Sequence, residues 1–201
     1  MPPYRLGDII RYPCPHKAER AWLTAYHLTH YPNSLASQYL KIVGSYALNR
    51  LGVLYDLVKR WPTTPATVSQ RDWLVVHLRC GDVIDRDRRN VSEVIHRGNY
   101  YVKPLTYYQQ KMATVANHEI SKVVLVSGDH KRPALSPKSM DYINAIRNLF
   151  NRHNYLTTLR LNGNPDEDFV FMSRSHLFLP SGGGYSKLIS EMVTMHHQTC
   201  L

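Results

Sequence analysis

The rhythm of hydrophobic positions changes once along the chain, near residue 61. Over residues 16–31 and 33–61 apolar side chains recur at three- and four-residue spacing, among them Leu35, Tyr39, Ile42, Val43, Tyr46, Ala47, Leu51, Leu54, Leu57 and Val58. That period predicts helices with one buried stripe. Gly44 and Gly52 weigh against a single unbroken helix. Residues 61–67, Trp-Pro-Thr-Thr-Pro-Ala-Thr, end the region. Proline has no N–H to donate, and it disfavours the helical conformation for the residue before it. Beyond this linker the pattern is different. Residues 73–78 and 122–127 are short, nearly continuous apolar runs, and 155–161 and 176–179 are weaker ones. Helix-like stretches cover 105–117, 137–153, 166–173 and 185–195. Apolar runs without alternation read as strands buried on both faces, and helices between them imply parallel βαβ units. The expectation is an α/β domain over residues 66–201, with an open parallel sheet of at least four strands, preceded by a helical N-terminal extension over 1–65. No internal repeat, heptad or low-complexity tract interrupts this picture.

A polar cluster follows each expected strand. The first run leads into His77, Arg79, Cys80, Gly81 and Asp82, and the second into Ser127, Gly128, Asp129, His130 and Lys131. The third leads into residues 162–168, Asn-Gly-Asn-Pro-Asp-Glu-Asp. The fourth leads into Pro180, Ser181, Gly182, Gly183, Gly184, Tyr185 and Ser186. Ligands of open α/β sheets bind outside the carboxyl ends of the strands, so parallel strands would bring all four clusters to one edge.

Each cluster has a ligand reading and a plainer one. Arg79 can grip a phosphate with paired hydrogen bonds, or it can pair with Asp82 and hold its own loop. Gly182, Gly183 and Gly184 precede a helix whose first N–H groups suit a diphosphate, or they make a tight turn. Ser181 and Ser186 add hydroxyl donors or cap that helix. Asp166, Glu167 and Asp168 open a helix with carboxylates that complement its dipole, or one of them accepts hydrogen bonds from a base or ribose. A metal-binding Asp-x-Asp reading is disfavoured, because such motifs close an apolar strand and here the apolar residues come afterwards. His77 on its strand reads most simply as a satisfied core histidine. His196, His197 and Cys200 lack a second ligand pair and read as a frayed terminus rather than a zinc site. Tyr100, Tyr101, Tyr107 and Tyr108 either stack a ring or sugar, or pack.

Composition narrows the classes. The 201 residues carry a formal charge of +10, with 43% hydrophobic and 10% aromatic residues, which excludes disorder as the dominant state. Charged residues break every long apolar run, so no membrane span is expected. Cys14, Cys80 and Cys200 form no CxxC pair and no apolar leader opens the chain, which reads as reduced thiols in a cytoplasmic protein. The net charge is +5 over residues 1–70, +7 over 71–165 and −2 over 166–201. Nucleic acid, an anionic surface or a phosphorylated ligand would each suit such a charge. Scattered basic residues and the lack of a nucleic-acid motif argue against the first. No Walker loop, dinucleotide fingerprint, nucleophile elbow or zinc-protease pair is present.

Residues 77–82, His-Leu-Arg-Cys-Gly-Asp, resemble the His-x-Arg-x-Gly-Asp motif of the fucosyltransferase superfamily, which includes the α-1,2-, α-1,6- and protein O-fucosyltransferases. Residues 123–129 are similar to that family's strand ending in Ser-Asp. The stretch from Asp168 through Ser173 to Tyr185 and Ser186 is similar to its Asp-x-x-x-Met-Ser segment. The resemblance covers about residues 73–190. It implies a Rossmann-like nucleotide-sugar domain, half of a GT-B fold, that works without metal or cofactor. Arg79 would then bind the donor β-phosphate, His77 and Asp168 the nucleoside, and Gly183, Gly184, Tyr185 and Ser186 would face the phosphates. Gly81, Ser127, Ser181 and Gly182 complete the donor set. A hydroxyl pair of the family is replaced here by Gly183 and Gly184, so backbone N–H groups would substitute for side-chain donors.

The reading that follows is a metal-independent glycosyltransferase. It moves a 6-deoxyhexose, fucose before rhamnose, from a nucleoside-diphosphate sugar to a glycan hydroxyl, with a GDP-sugar favoured as donor. Arg79 would offset leaving-group charge, and Asp82 and Asp129 are general-base candidates by location. The partners are the donor and a glycan acceptor, with no nucleic acid; a homodimer or a larger polypeptide is left open. The alternatives are a non-catalytic nucleotide- or glycan-binding domain and, last, a basic nucleic-acid binder.

Overall fold

The computed structural model describes residues 29–30, 32–35, 37–39, 50–129 and 134–201. The chain divides between Thr63 and Thr64 into two compact units. In the N-terminal unit, α1 (Arg50–Arg60) runs through Gly52 and buries Leu54, Leu57 and Val58, the three- and four-residue spacing of one stripe. Most of the helical positions expected over 16–49 lie outside the described residues, as do Gly44, Cys14, His130 and Lys131.

In the second unit, Thr67 N–H donates to Thr64 O, and the Thr67 hydroxyl accepts Thr64 N–H, forming a closed turn before the sheet begins. The sheet and helices then alternate: β1 (Trp73–His77), α2 (Asp82–Asp85), α3 (Val91–Arg97), α4 (Leu105–Val115), β2 (Lys122–Ser127), α5 (Pro137–Arg152), β3 (Leu156–Leu161), α6 (Pro165–Ser173), β4 (Leu177–Leu179), α7 (Gly184–Met195) and β5 (Thr199–Cys200). The sheet has five parallel strands in the order β3-β2-β1-β4-β5. This is the α/β, open parallel, Rossmann-like architecture that the apolar runs predict. Among the described residues no helix is long and apolar enough to cross a membrane.

Side chains alternate across the strands and so divide the core in two. Leu74, Val76, Val123, Leu125, Leu177 and Leu179 pack with Tyr108 and Met112 of α4 and with Tyr142, Ile143, Ile146 and Phe150 of α5. Val75, His77, Val124, Val126 and Phe178 take the alternate positions. The return from β3 to β4 reverses the direction of winding, which under the right-handed crossover rule puts α6 on that other face, and α6 packs on α7.

Three elements depart from expectation. The C-terminal residues are not frayed: Thr199 and Cys200 pair with Leu177 and Phe178, and Leu201 N–H donates to Phe178 O. Gln198 N–H returns to Val193 O, and His197 takes φ +56°, turning the chain from α7 into the edge strand. The short helices α2 and α3 fill what reads as loop. The second begins at a capping box, in which Asn90 accepts Glu93 N–H and the Glu93 carboxylate accepts Asn90 N–H.

Candidate functional site at the carboxyl edge

The strand order reverses between β1 and β4, because β1, β2 and β3 step one way and β4 returns to the other side of β1. In open α/β sheets such a reversal, where neighbouring connections diverge to opposite faces, is the general place for a ligand. His77, the last residue of β1, lies at this point with Nδ1 3.0 Å from the hydroxyl of Ser181, just past β4; both residues are buried. Ser181 N–H donates to the Ser186 hydroxyl at 2.9 Å, folding the first turn of α7 back onto the loop. His77 is thus a satisfied histidine, and its partner belongs to the glycine loop.

That loop is held from below. Gly182 N–H donates to Tyr101 O at 3.1 Å, and the Tyr107 hydroxyl donates to Pro180 O at 3.0 Å. A Cβ on Gly182 would lie 2.2 Å from Tyr100 O, so glycine is demanded there by close backbone approach. Gly183 is the N-cap of α7 at φ +87°, without a side-chain cap, and Gly184 is exposed. The start of this 12-residue helix carries the partial positive charge of its dipole.

Tyr185 joins the loop to α6. Its ring meets His77 edge-on at 5.4 Å and Phe169 at 5.7 Å, and its hydroxyl donates to Pro165 O at 3.3 Å. Burial, then the nearby Asp168 and Asp166 charges, push its phenol pKa well up. Asp168 is buried and accepts Arg160 Nε at 2.5 Å. Burial raises its carboxyl pKa and the Arg160 hydrogen bond opposes the rise. The Arg160 guanidinium also lies 4.5 Å from the Phe171 ring centre. All three carboxylates of residues 166–168 open α6, whose cap is Asn164 with Pro165 at its first position. The helix-opening reading of this cluster is realised, and Asp168 adds the ion pair.

A second group forms where β1 and β2 end. Arg79 Nη2 donates to Asp82 Oδ1 at 2.9 Å, the loop-holding pair expected as its plainer role. Gly81 takes φ +65°, and a Cβ there would sit 3.0 Å from the Asp129 carboxyl carbon, so glycine lets that carboxylate approach the loop. Gly81 N–H donates to the Ser139 hydroxyl, which donates in turn to Asp85 Oδ1, also held by Ser136. The Ser127 hydroxyl is donated to Leu78 O at 2.8 Å and ties β2 to the β1 loop. Asp129 N–H donates to Asn162 Oδ1, bringing the β3 loop into the same edge.

His77, Ser181, Tyr185 and Ser186 thus form one connected set, with Asp168 on the helix that Tyr185 packs against, and Arg79, Gly81, Asp82, Ser127 and Asp129 form another beside it. Gly182 serves as backbone packing, while Gly183 and Gly184 line the helix start. Pattern reading passed over Arg160, Ser139 and Asp85, and placed Asn162 in the third strand-end cluster without giving it a role. Asn162 takes φ +53° and sits in an Asn-Gly-Asn turn, a signal visible in sequence. Arg160 gives no such signal, since only the fold brings it to Asp168. Among the described residues no three His, Cys, Asp or Glu side chains gather into a metal-binding group.

No protein-family model matches the chain, and no curated protein matches it. Among solved structures, the crystal structure of POFUT1 in complex with GDP aligns at a TM-score of 0.42 and 13% identity, over 89% of this chain and 57% of that one. The chain therefore spans little more than half the length of that structure.

Proposed function

We propose that the carboxyl edge binds a nucleoside-diphosphate sugar and that the protein transfers its hexose, a 6-deoxyhexose such as fucose, to a glycan hydroxyl. One observation carries this reading. At the β1–β4 reversal, His77 and Ser181 lock a glycine loop whose following helix starts without a side-chain cap. Nucleotide diphosphates suit that arrangement. Three motifs in the fucosyltransferase order fall on this same edge, which supports the choice of sugar and the assignment of the domain as half of a GT-B fold.

In this mechanism Gly183 and Gly184 offer N–H groups to the diphosphate. Tyr185 and Asp168 shape the nucleoside side, with Asp168 accepting from a base or ribose while Arg160 holds it. Arg79 approaches the diphosphate from the β1 loop; a guanidinium has five N–H donors in a planar fork, and its contact with Asp82 uses one nitrogen. The bond from the anomeric carbon to the diphosphate oxygen breaks, and its electron pair leaves with the diphosphate. The acceptor oxygen forms the new bond and passes its proton to a carboxylate, Asp82 or Asp129. Preorganised positive charge at the leaving group lowers the barrier to the oxocarbenium-like transition state.

Incubation with GDP-fucose and a glycan acceptor tests the reaction. Transfer or donor hydrolysis is expected, with both lost in Arg79→Ala. A preparation showing neither, whose nucleotide affinity is indifferent to Arg79, overturns the proposal. The Arg79–Asp82 pair favours a second reading, a nucleotide-binding domain without turnover, because it engages both a proposed charge stabiliser and a proposed base. Calorimetric binding of GDP with no product after long incubation would select it.

A further inference from the structure

Tyr100 and Tyr101 stand beside the carboxyl edge; their carbonyls help hold the glycine loop, and their side chains have no part in the donor site described above. Their rings meet edge to face, with centres 4.9 Å apart at 88°, and they are 77% and 46% exposed. Packing does not account for Tyr100. The loop that carries them is nonetheless firmly built. Asn99 Oδ1 accepts the N–H groups of Tyr101 and Val102 at 2.8 Å each, Asn99 N–H donates to Val102 O, and Asn99 Nδ2 reaches Asp87. Val102 is fully buried beneath, and Tyr101 O takes the Gly182 N–H. A Cβ on Gly183 would lie 3.2 Å from Tyr101 Cδ1, so the ring borders the uncapped start of α7.

The two flanks of the glycine loop differ. Helix α4, which follows this tyrosine loop, packs on the Leu74 and Val76 face, whereas His77 and Tyr185 belong to the opposite face. A nucleoside-diphosphate sugar is a linear sequence of nucleoside, diphosphate and hexose. With the nucleoside toward Tyr185 and Asp168 and the diphosphate on the glycine loop, the hexose and its acceptor fall on the tyrosine flank. We propose that Tyr100 and Tyr101 form a stacking platform for a pyranose ring at the sugar end of the site, a step that rests on the functional reading above. Phenol rings offer flat apolar faces to the C–H face of a pyranose and a hydroxyl to its rim, at little cost in conformational entropy.

The test compares wild type with Tyr100→Ala/Tyr101→Ala and Tyr100→Phe/Tyr101→Phe, titrating each full chain calorimetrically with GDP, GDP-fucose and N-acetyllactosamine. The backbone bonds of the loop do not involve the rings, and the thermal midpoint checks folding; Tyr100→Ala alone serves if the double variant unfolds. The double alanine variant is expected to bind GDP within about twofold of wild type and to lose about tenfold for a saccharide probe, a stacking-sized effect, while the phenylalanine variant retains most of it. Loss confined to GDP-fucose assigns the platform to the donor hexose; loss for N-acetyllactosamine assigns it to the acceptor. Saccharide binding unaltered by the alanines overturns the proposal, as does loss of GDP binding in parallel, or a wild type that gains nothing from either saccharide. A wild type that binds N-acetyllactosamine through these tyrosines but not GDP refutes the nucleotide reading and leaves the platform standing.

Discussion

At the scale of single residues, the site is governed by how closely backbones approach one another. Gly182 is the sharpest case. Its N–H is donated to Tyr101 O, and any side chain would collide with two carbonyl oxygens of the tyrosine loop. Gly128, also at a strand end, differs: a Cβ there would meet Asn162 at 3.5–3.6 Å, an ordinary contact. Gly182→Ala is therefore expected to destabilise the fold by about 3 kcal/mol or more through forced backbone movement. Gly128→Ala should change it by no more than about 0.5 kcal/mol. Urea midpoints of the two variants check the contrast, and equal midpoints would contradict it. Asp168 shows the opposite economy, since burial works against its charged form and only Arg160 offsets this.

At the scale of elements, the strands and main helices were legible because buried parallel strands write themselves as apolar runs and their helices as three- and four-residue periods. Residues 122–127 match β2 residue for residue, and 137–153 exceeds α5 by one. The parallel arrangement then brought all four polar clusters to one edge, as the topology rule requires. Pairing that depends on the partner strand was not legible. Thr199 and Cys200 have no strand pattern of their own, and only the exposed edge of β4 recruits them. The Arg160–Asp168 pair was hidden for the same reason, because a lone arginine on an edge strand carries no mark of its partner. Helix α3 was readable in principle from Asn90 and Glu93. Its reciprocal cap predicts that Asn90→Ala lowers stability by about 1 kcal/mol, measured by chemical denaturation. An unchanged midpoint would mean that the helix is held by packing of Val94 alone.

At the scale of the molecule, several buried groups hold their protons more tightly in the fold than in an open chain. Burial, the leading cause in each, pushes the Cys80 thiol from 9.0 to about 12 and the Tyr107 phenol from 10.0 to about 12. It also raises Tyr108, Tyr142 and Tyr185. Above pH 9 the unfolded chain releases these protons first, so the folded chain binds more of them. Stability is then fully present below pH 9 and falls as pH rises toward 12, at about 1.4 kcal/mol per pH unit for each fully buried group. Denaturation midpoints at pH 8 and pH 10.5 should differ in that direction, and a flat profile would contradict it. The +10 charge of the whole chain favours anionic partners in general. The most direct test of the proposed nucleotide site is the thermal midpoint of the full chain with and without GDP, in wild type and Arg79→Ala. A site at the β1–β4 reversal predicts stabilisation of about 2.7 kcal/mol at a hundredfold excess over the dissociation constant, largely abolished in the variant. No shift in wild type, or the same shift in both, would contradict it.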